Sequence, residues 1–325
     1  MIKTVELSEE VIAAIVRRAF PDAQVDECRR FGGEYGDLNY DLRLRNPTME
    51  VVLRVYRQES TGRGSRGPQK ETHVLRIVTP ETGVPTPRVL LFDDSGTLVP
   101  EPVALHARLP GGPLAEVLAQ MDEGDQETVG YEMGRYLAKL HSISLGRFGE
   151  FFVDDPLSDV SEKAYTWQRV RDWLEVCAER DLLESEAASA LERVFAQTGR
   201  LTRPMACFVH GDFETGNVVV EAGAGGYHVT GVLDFQRSQG WSPEWDAARL
   251  ANQVFDSYPA LAKGFLDGYA DAAGLPADFW ERLRLYRLAV ALDSLVEAGP
   301  EEVDLWQGQV LRLLEEVEKV SGRAT

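Results

Sequence analysis

The 325-residue chain is poor in cysteine, histidine and lysine, and each shortage removes a class of explanation. Its three cysteines, Cys28, Cys177 and Cys207, are widely spaced and in no metal-ligand pattern, so neither a disulfide framework nor a zinc site is expected. Among the five histidines, His73, His106, His141 and His228 lack a partner at metal-ligand spacing and are read as structural. No apolar run approaches ~18 residues, so nothing is expected to span a bilayer. The first twenty residues include Glu9, Glu10, Arg17 and Arg18, while Val11, Ile12, Ile15 and Val16 recur at helical spacing. That describes an amphipathic helix rather than a signal peptide, and a soluble cytoplasmic protein is expected. Basic residues are outnumbered by acidic ones, 34 to 53, leaving a net charge of −19. Such a surface repels phosphate backbones and anionic lipid, which speaks against nucleic-acid and membrane roles. It would attract a cationic ligand, although an acidic shell kept for solubility is the commoner cause.

What is present has an order. Val25 to Phe31, the alternating Tyr40, Leu42 and Leu44, and Val51 to Tyr56 read as strands, with turns at residues 32–36 and at Asn46-Pro47. Gln69 to Val78 reads as a short helix, Val89 to Phe92 as a strand, and residues 97–109 as two further strands around Pro100 and Pro102. From about Pro110 the period turns helical: Gly112 to Gln120, Gln126 to Ser142, Thr166 to Arg180 and Glu184 to Gly199. A strand-rich island, Cys207 to Val209, Val218 to Val220 and Tyr227 to Phe235, interrupts the helices, which resume at Ala247. Strands first and helices later predict an α+β fold with a small sheet-rich part and a larger helical one.

Gly62-Arg63-Gly64-Ser65-Arg66-Gly67 matches G-x-G-x-x-G, but Gln58 to Thr61 separate it from the preceding strand and Pro68 follows at once. The dinucleotide fingerprint needs its first glycine tight against the strand end of a βαβ unit, so this is read as a surface loop.

The chemistry is concentrated in Val209-His210-Gly211-Asp212-Phe213-Glu214-Thr215-Gly216-Asn217 and in Val232-Leu233-Asp234-Phe235. A loop after a strand carries one carboxylate, Asp212, and five residues on an amide, Asn217; a hairpin is expected to return a second carboxylate, Asp234. Phosphoryl transfer needs a group to orient and deprotonate the attacking hydroxyl, and hard oxygen ligands for Mg²⁺ on nucleotide phosphates. The spacing H-x-D-x-x-x-x-N is that of the protein-kinase catalytic loop, with Asp234-Phe235 in the place of D-F-G.

The H-G-D form and its surroundings resemble the aminoglycoside phosphotransferase family of small-molecule kinases. Gly32-Gly33 with Asn39-Tyr40 looks like its nucleotide loop, Val52 to Val55 like its third strand, and Glu71 like its helix glutamate. Gly83 to Pro87, Leu137 to His141, and Asp246, the acid that would brace the catalytic loop, continue the likeness in order. The resemblance implies a protein-kinase-like two-lobed fold, with a nucleotide-binding lobe over residues 1–105 and a catalytic and substrate-binding lobe over 106–325. Asp212 would be the catalytic base or the group that orients the hydroxyl, and Asn217 and Asp234 would hold Mg²⁺. Arg54, tethered by Glu71, would contact the phosphates of ATP or GTP. Backbone of Gly32, Gly33 and Gly36 would cover those phosphates, and backbone near Ala107 to Leu109 would bind the base.

Two positions depart from the pattern. Arg54 stands where kinases place lysine, which keeps the charge but changes reach and geometry and leaves room for an inactive nucleotide binder. Gln236 replaces the glycine of D-F-G, a position to which little weight is attached. His210 is expected to pin the loop, Asp154-Asp155 to form a turn, and Trp167, Trp173, Trp241 and Trp245 to be core or cleft walls. The implied acceptor is a small-molecule hydroxyl, most simply an aminoglycoside or similar cationic antibiotic. A metabolic acceptor (choline, homoserine or a sugar) and a non-catalytic nucleotide binder are the alternatives.

Overall fold

Ser8 opens the first helix by accepting a hydrogen bond from the Val11 amide at 3.4 Å, with Glu9 and Glu10 at the positive end of the helix dipole and Arg17 and Arg18 at the negative end. The computed structural model describes residues 6–32, 37–57, 67–150 and 160–321. Its contacts divide into two units. The first is Met1–Gly112 with Val219–Glu221 and Thr230–Gln236; the second is Pro113–Val218 with Ala222–Val229 and Arg237–Thr325.

In the first unit, α1 (Glu9–Ala19) buries Ile12, Ile15 and Val16 in a core shared with β1 (Gln24–Phe31), β2 (Leu38–Arg45) and β3 (Met49–Val55). Leu38, Tyr40, Leu42 and Leu44 of β2 are buried while the residues between them are not, the period-2 pattern read from the sequence. Helix α2 (Gly67–Thr82), β4 (Val89–Asp93) and β5 (Val103–Ala107) follow. The sheet runs β1-β2-β3-β5-β4, antiparallel throughout. Residues 97–109 hold one strand rather than two, because Pro100 and Pro102 have no amide to donate to a ladder; Pro102 serves only as acceptor for the Tyr56 amide at 2.9 Å.

Strand β6 (Gly112–Pro113) falls at the boundary of the units in the chain, and the second unit continues with α3 (Leu114–Val117) and a 3₁₀ turn, Leu118–Gln120, where one continuous helix is expected from the sequence. Helix α4 (Glu123–His141), two-residue strands β7 (Ser144–Leu145) and β8 (Gly149–Glu150), α5 (Glu162–Glu179) and α6 (Ser185–Gln197) precede β9 (Ala206–Val209). The hairpin β10 (Val218–Gly223) and β11 (Gly226–Val232), divided between the units as given above, and then β12 (Gln239–Trp241) and α7 (Glu244–Leu250) of the second unit complete the island. A π-helical turn, Ala251–Phe255, leads to α8 (Pro259–Ala273), α9 (Phe279–Glu297) and α10 (Val303–Ser321). A four-stranded sheet, β7-β9-β12-β8, and a three-stranded one, β11-β10-β6, hold the loops that matter below.

Trp173, Trp241 and Trp245 are fully buried and stacked, the last two with ring centroids 4.2 Å apart, so they are core rather than cleft walls. Beside them Arg282, 1% exposed, is ion-paired with Glu162 and Glu244. Glu162 also accepts from the Tyr286 hydroxyl at 2.8 Å, which is how charge persists in a helical core. Cys28, Cys177 and Cys207 are all free thiols. No helix among the described residues is long and apolar enough to cross a membrane. The architecture is α+β, a small antiparallel sheet unit and a larger, mainly helical one.

Candidate active site

The first unit gathers charge around Arg54. The β2–β3 register sets Asn39 opposite Arg54, which puts Asp37, one residue before β2, beside the end of β3. Arg54 donates from Nε to Asp37 Oδ2 at 3.1 Å, and its Nη1 and Nη2 lie 3.5 Å from Glu71 Oε1 and 3.3 Å from Asp234 Oδ2. Tyr56 donates its hydroxyl to Glu71 Oε2 at 2.7 Å, and the guanidinium carbon lies 5.0 Å from the centre of its ring. Burial opposes the Arg54 charge, yet Asp234 and Glu71 outweigh it and hold the guanidinium firmly protonated. Burial, with Asp234 adding to it, pushes the Glu71 carboxyl up to about 7 in spite of Arg54.

Asp234 follows the end of β11 with φ at 58°, in the left-handed region that aspartate tolerates better than most residues. This non-extended backbone ends the strand at Val232, short of the Phe235 expected from the sequence. Its Oδ1 accepts from the Gln236 amide at 3.3 Å. The Gln236 side chain also matters: with its amide oxygen turned inward it accepts from Arg54 Nη1 at 3.3 Å.

In the second unit the segment after β9 is pinned from below. Asp246, wholly buried on α7, accepts the amides of His210 at 2.7 Å and Gly211 at 2.8 Å and pairs with His141 Nε2 at 3.0 Å. His141 Nδ1 is 2.9 Å from the Tyr269 hydroxyl. Burial raises the Asp246 carboxyl, but the bonds from His141 and His210 prevail and hold it below the usual range. Gly211 has φ at 85° and packs so closely on the Arg237 carbonyl that a side chain would collide with it. His210 is buried, and its Nδ1 accepts from the Asp212 amide at 3.2 Å, the pinning role expected of it.

The loop so fixed presents Asp212. Its Oδ2 accepts from Asn217 Nδ2 at 3.2 Å, and its Oδ1 lies 3.1 Å from Arg249 Nη1. Asn217 spends the same nitrogen on the Asp212 carbonyl at 2.9 Å, so its amide oxygen is the atom left to serve a cation. Arg249 and Arg237 meet at Asp293, at 2.9 and 2.8 Å, and Arg237 also pairs with Glu297. The π-helical turn supplies Gln253, whose Oε1 accepts from both the amide and the hydroxyl of Thr215, at 3.0 and 3.1 Å.

Gly32 follows β1, while Gly33 and Gly36 lie outside the described residues, as do residues 62–66 of the glycine-rich loop and Asp154-Asp155. Ala107 ends β5 with its amide already given to the Arg88 carbonyl at 2.9 Å, and the Leu109 side chain packs against Gly231. Sequence reasoning missed Asp37, Tyr56, Arg249, Asp293 and Gln253. Arg249 stands three residues after Asp246 on one helix, a spacing that could have exposed it. Asp37 could have been sought once arginine was seen in place of lysine, since arginine has a second edge to satisfy.

Asp234 and Asn217 are hard oxygen ligands of the type Mg²⁺ takes. No group of three or more His, Cys, Asp or Glu that could cage a metal occurs among the described residues. The carboxylate of Asp234 and the amide oxygen of Asn217 are each donors that such an ion takes beside substrate phosphates.

No curated protein matches this sequence. Among solved structures, a putative aminoglycoside phosphotransferase from Ralstonia eutropha JMP134 aligns at 14% identity, with TM-score 0.68 over 98% of this chain and 99% of that one. A thermostable mutant of aminoglycoside phosphotransferase APH(4)-Ia, in complex with ADP and hygromycin B, aligns at 16% identity and TM-score 0.66 over 93% and 97%. A putative fructosamine-3-kinase from Haemophilus somnus 129PT aligns at 13% and 0.63 over 93% and 96%. At such identities these likenesses establish the kinase-like fold. The sequence profile of the phosphotransferase enzyme family matches residues 27–286, from β1 through the Asp212 loop and Asp246 into α9, and the chain belongs to that family.

Proposed function

We propose that the protein transfers the γ-phosphate of ATP or GTP to a hydroxyl of a small molecule, with Mg²⁺, using residues 1–105 as the nucleotide-binding lobe and 106–325 as the catalytic and substrate-binding lobe. The observation that carries this is the Asp212 loop: a carboxylate on a backbone pinned by Asp246, with the Asn217 amide bonded to its Oδ2. Phosphoryl transfer leaves little covalent work to the protein, so such pre-set geometry is the main contribution it can make.

In this reading Asp212 orients the acceptor hydroxyl and takes its proton as the new oxygen–phosphorus bond forms and the bond to the nucleoside diphosphate oxygen breaks. The proton then passes to solvent. Arg249 holds one carboxylate oxygen and Asn217 the other, so the carboxyl plane is set before the acceptor arrives. Asn217 and Asp234 would hold Mg²⁺, which neutralises charge on the phosphates. Arg54, steadied by Glu71, faces the phosphates, and Ala107 and Leu109 lie in the segment that would contact the base.

An aminoglycoside or similar cationic antibiotic is the first acceptor to test, because the protein is acidic and the similar structures include a hygromycin B complex. A metabolic acceptor is the second, and one observation favours it: Asp293 and Glu297 are already neutralised by Arg237 and Arg249. ADP and GDP release should be measured with Mg²⁺ across aminoglycosides, macrolides, choline, homoserine and sugars. Stimulation by one class names the acceptor. Asp212→Asn should leave nucleotide binding nearly intact and cut turnover by on the order of 10²-fold or more. Unchanged turnover would remove Asp212 from the mechanism.

A further inference from the structure

Lysine and arginine present different shapes to a phosphate. An ammonium is a compact point charge on a flexible stem; a guanidinium is a planar fork with two donating edges and two faces. An arginine in a lysine's place therefore works only if its surplus edge and its orientation are dealt with. In this chain they are. Asp37 takes the Nε edge, with its Oδ2 3.1 Å from both Nε and Nη2. Tyr56 lies against one face of the guanidinium, and Glu71 and Asp234 sit along the outer nitrogens.

Asp37 is itself immobilised. Its side chain is 1% exposed, and its other oxygen, Oδ1, accepts the Arg57 amide at 2.8 Å. Arg57 lies two residues past the end of β3 and Asp37 one before β2, so the antiparallel register of these strands fixes the carboxylate against Arg54. The placement has a disadvantage that needs explaining. Asp37, Glu71 and Asp234 put three carboxylates on one guanidinium, and an extra acid beside a phosphate subsite repels the phosphate. A buried acid with that effect is accounted for if it holds the arginine fork in its working orientation.

We propose that Asp37 is a positioning residue that adapts the phosphate subsite to Arg54, so that arginine at this place marks a remodelled working site rather than a dead one. This rests on the nucleotide-side role proposed for Arg54. It has an unusual consequence: restoring the kinase lysine should harm the protein, because lysine has no Nε edge from which the Asp37 carboxylate can accept.

The test is a double-mutant cycle with Arg54→Lys, Asp37→Asn and the combination. Asparagine keeps an oxygen for the Arg57 amide while ending the ion pair. Three readouts are needed: equilibrium binding of Mg·ATP and Mg·GTP, kcat and KM for the nucleotide, and the thermal midpoint without ligand. Asp37→Asn should weaken nucleotide binding about tenfold, with the rise falling on KM rather than kcat. Arg54→Lys should weaken it at least as much. In the Arg54→Lys background, adding Asp37→Asn should change binding by less than about twofold. Additive losses, or a lysine variant equal to the wild type, would overturn the inference while leaving the kinase reading in place. So would a fall in thermal midpoint with KM unmoved, the pattern of a purely structural acid. Absence of nucleotide binding by the wild-type protein would overturn both.

Discussion

His106, on β5, and Glu71, on α2, are buried titratable groups pushed in opposite senses by the same surroundings. Burial, followed by repulsion from Arg54, drives the His106 imidazole down to about 4, and its Nδ1 has no hydrogen-bond partner. Burial drives Glu71 up to about 7. Below pH 6.5 an unfolded chain protonates this histidine and the folded one does not, so its contribution to stability is lost as pH falls from 6.5 toward 4. Between pH 4.5 and 7 the folded chain keeps a proton on Glu71 that the unfolded chain releases, so this carboxyl favours the fold toward acid and disfavours it as pH rises. The two slopes oppose each other in the wild type and separate in variants. Across pH 5 to 6, Glu71→Gln should show stability rising with pH and His106→Leu should show it falling, a difference on the order of 2 kcal/mol per pH unit. Urea unfolding at a series of pH values measures it. Slopes of the same sign in both variants would contradict the burial that the structure assigns to these groups.

The helix pair α4 and α8 shows how packing far from Asp212 sets its position. Gly130 and Gly134 on α4 face Leu261 and Phe265, while Gly264 and Gly268 on α8 face Glu127 and Tyr131. At all four a methyl group would run into the partner's backbone carbonyl. This closeness lets Tyr269 of α8 reach His141 of α4, which in turn holds Asp246 beneath the loop. Gly134→Ala or Gly268→Ala should therefore destabilise by about 1–3 kcal/mol, the range of overpacking, and lower kcat more than nucleotide affinity. A urea midpoint and a kcat unchanged from wild type would show that the helices can part at no cost. The spacing of these glycines was in plain view, yet nothing local says that two such pairs meet. The same reason divides what was legible from what was not. Helices α5 and α6, strand β2 and the Asp212 loop carry their signal within a dozen residues, and the sequence showed them. Strands β7, β8 and β12 are two or three residues long and are defined only by partners elsewhere in the chain. Arg249 and Asp293 belong to the candidate site through a pairing that spans 44 residues. The positive φ of Asp234 likewise has no signature in an aspartate alone.

For the molecule as a whole, the −19 charge bears on which acceptor it takes. The field of an acidic protein draws a polycation toward it and repels a nucleotide triphosphate, and both effects reach only about a Debye length, ~8 Å at 0.15 M salt. Raising ionic strength should therefore act on the two substrates in opposite directions. If the acceptor is a polycationic antibiotic, its kcat/KM should fall severalfold between about 20 and 300 mM KCl, while kcat/KM for the nucleotide holds or rises. A neutral sugar should respond by less than about twofold, because it has no net charge for the field to act on. The pairing of Asp293 and Glu297 with Arg237 and Arg249 gives this measurement a second use. Those acids are screened by their own arginines, so any steep salt dependence must come from carboxylates elsewhere on the protein. A flat salt response for the best acceptor in the panel would exclude the polycationic reading and leave the metabolic one.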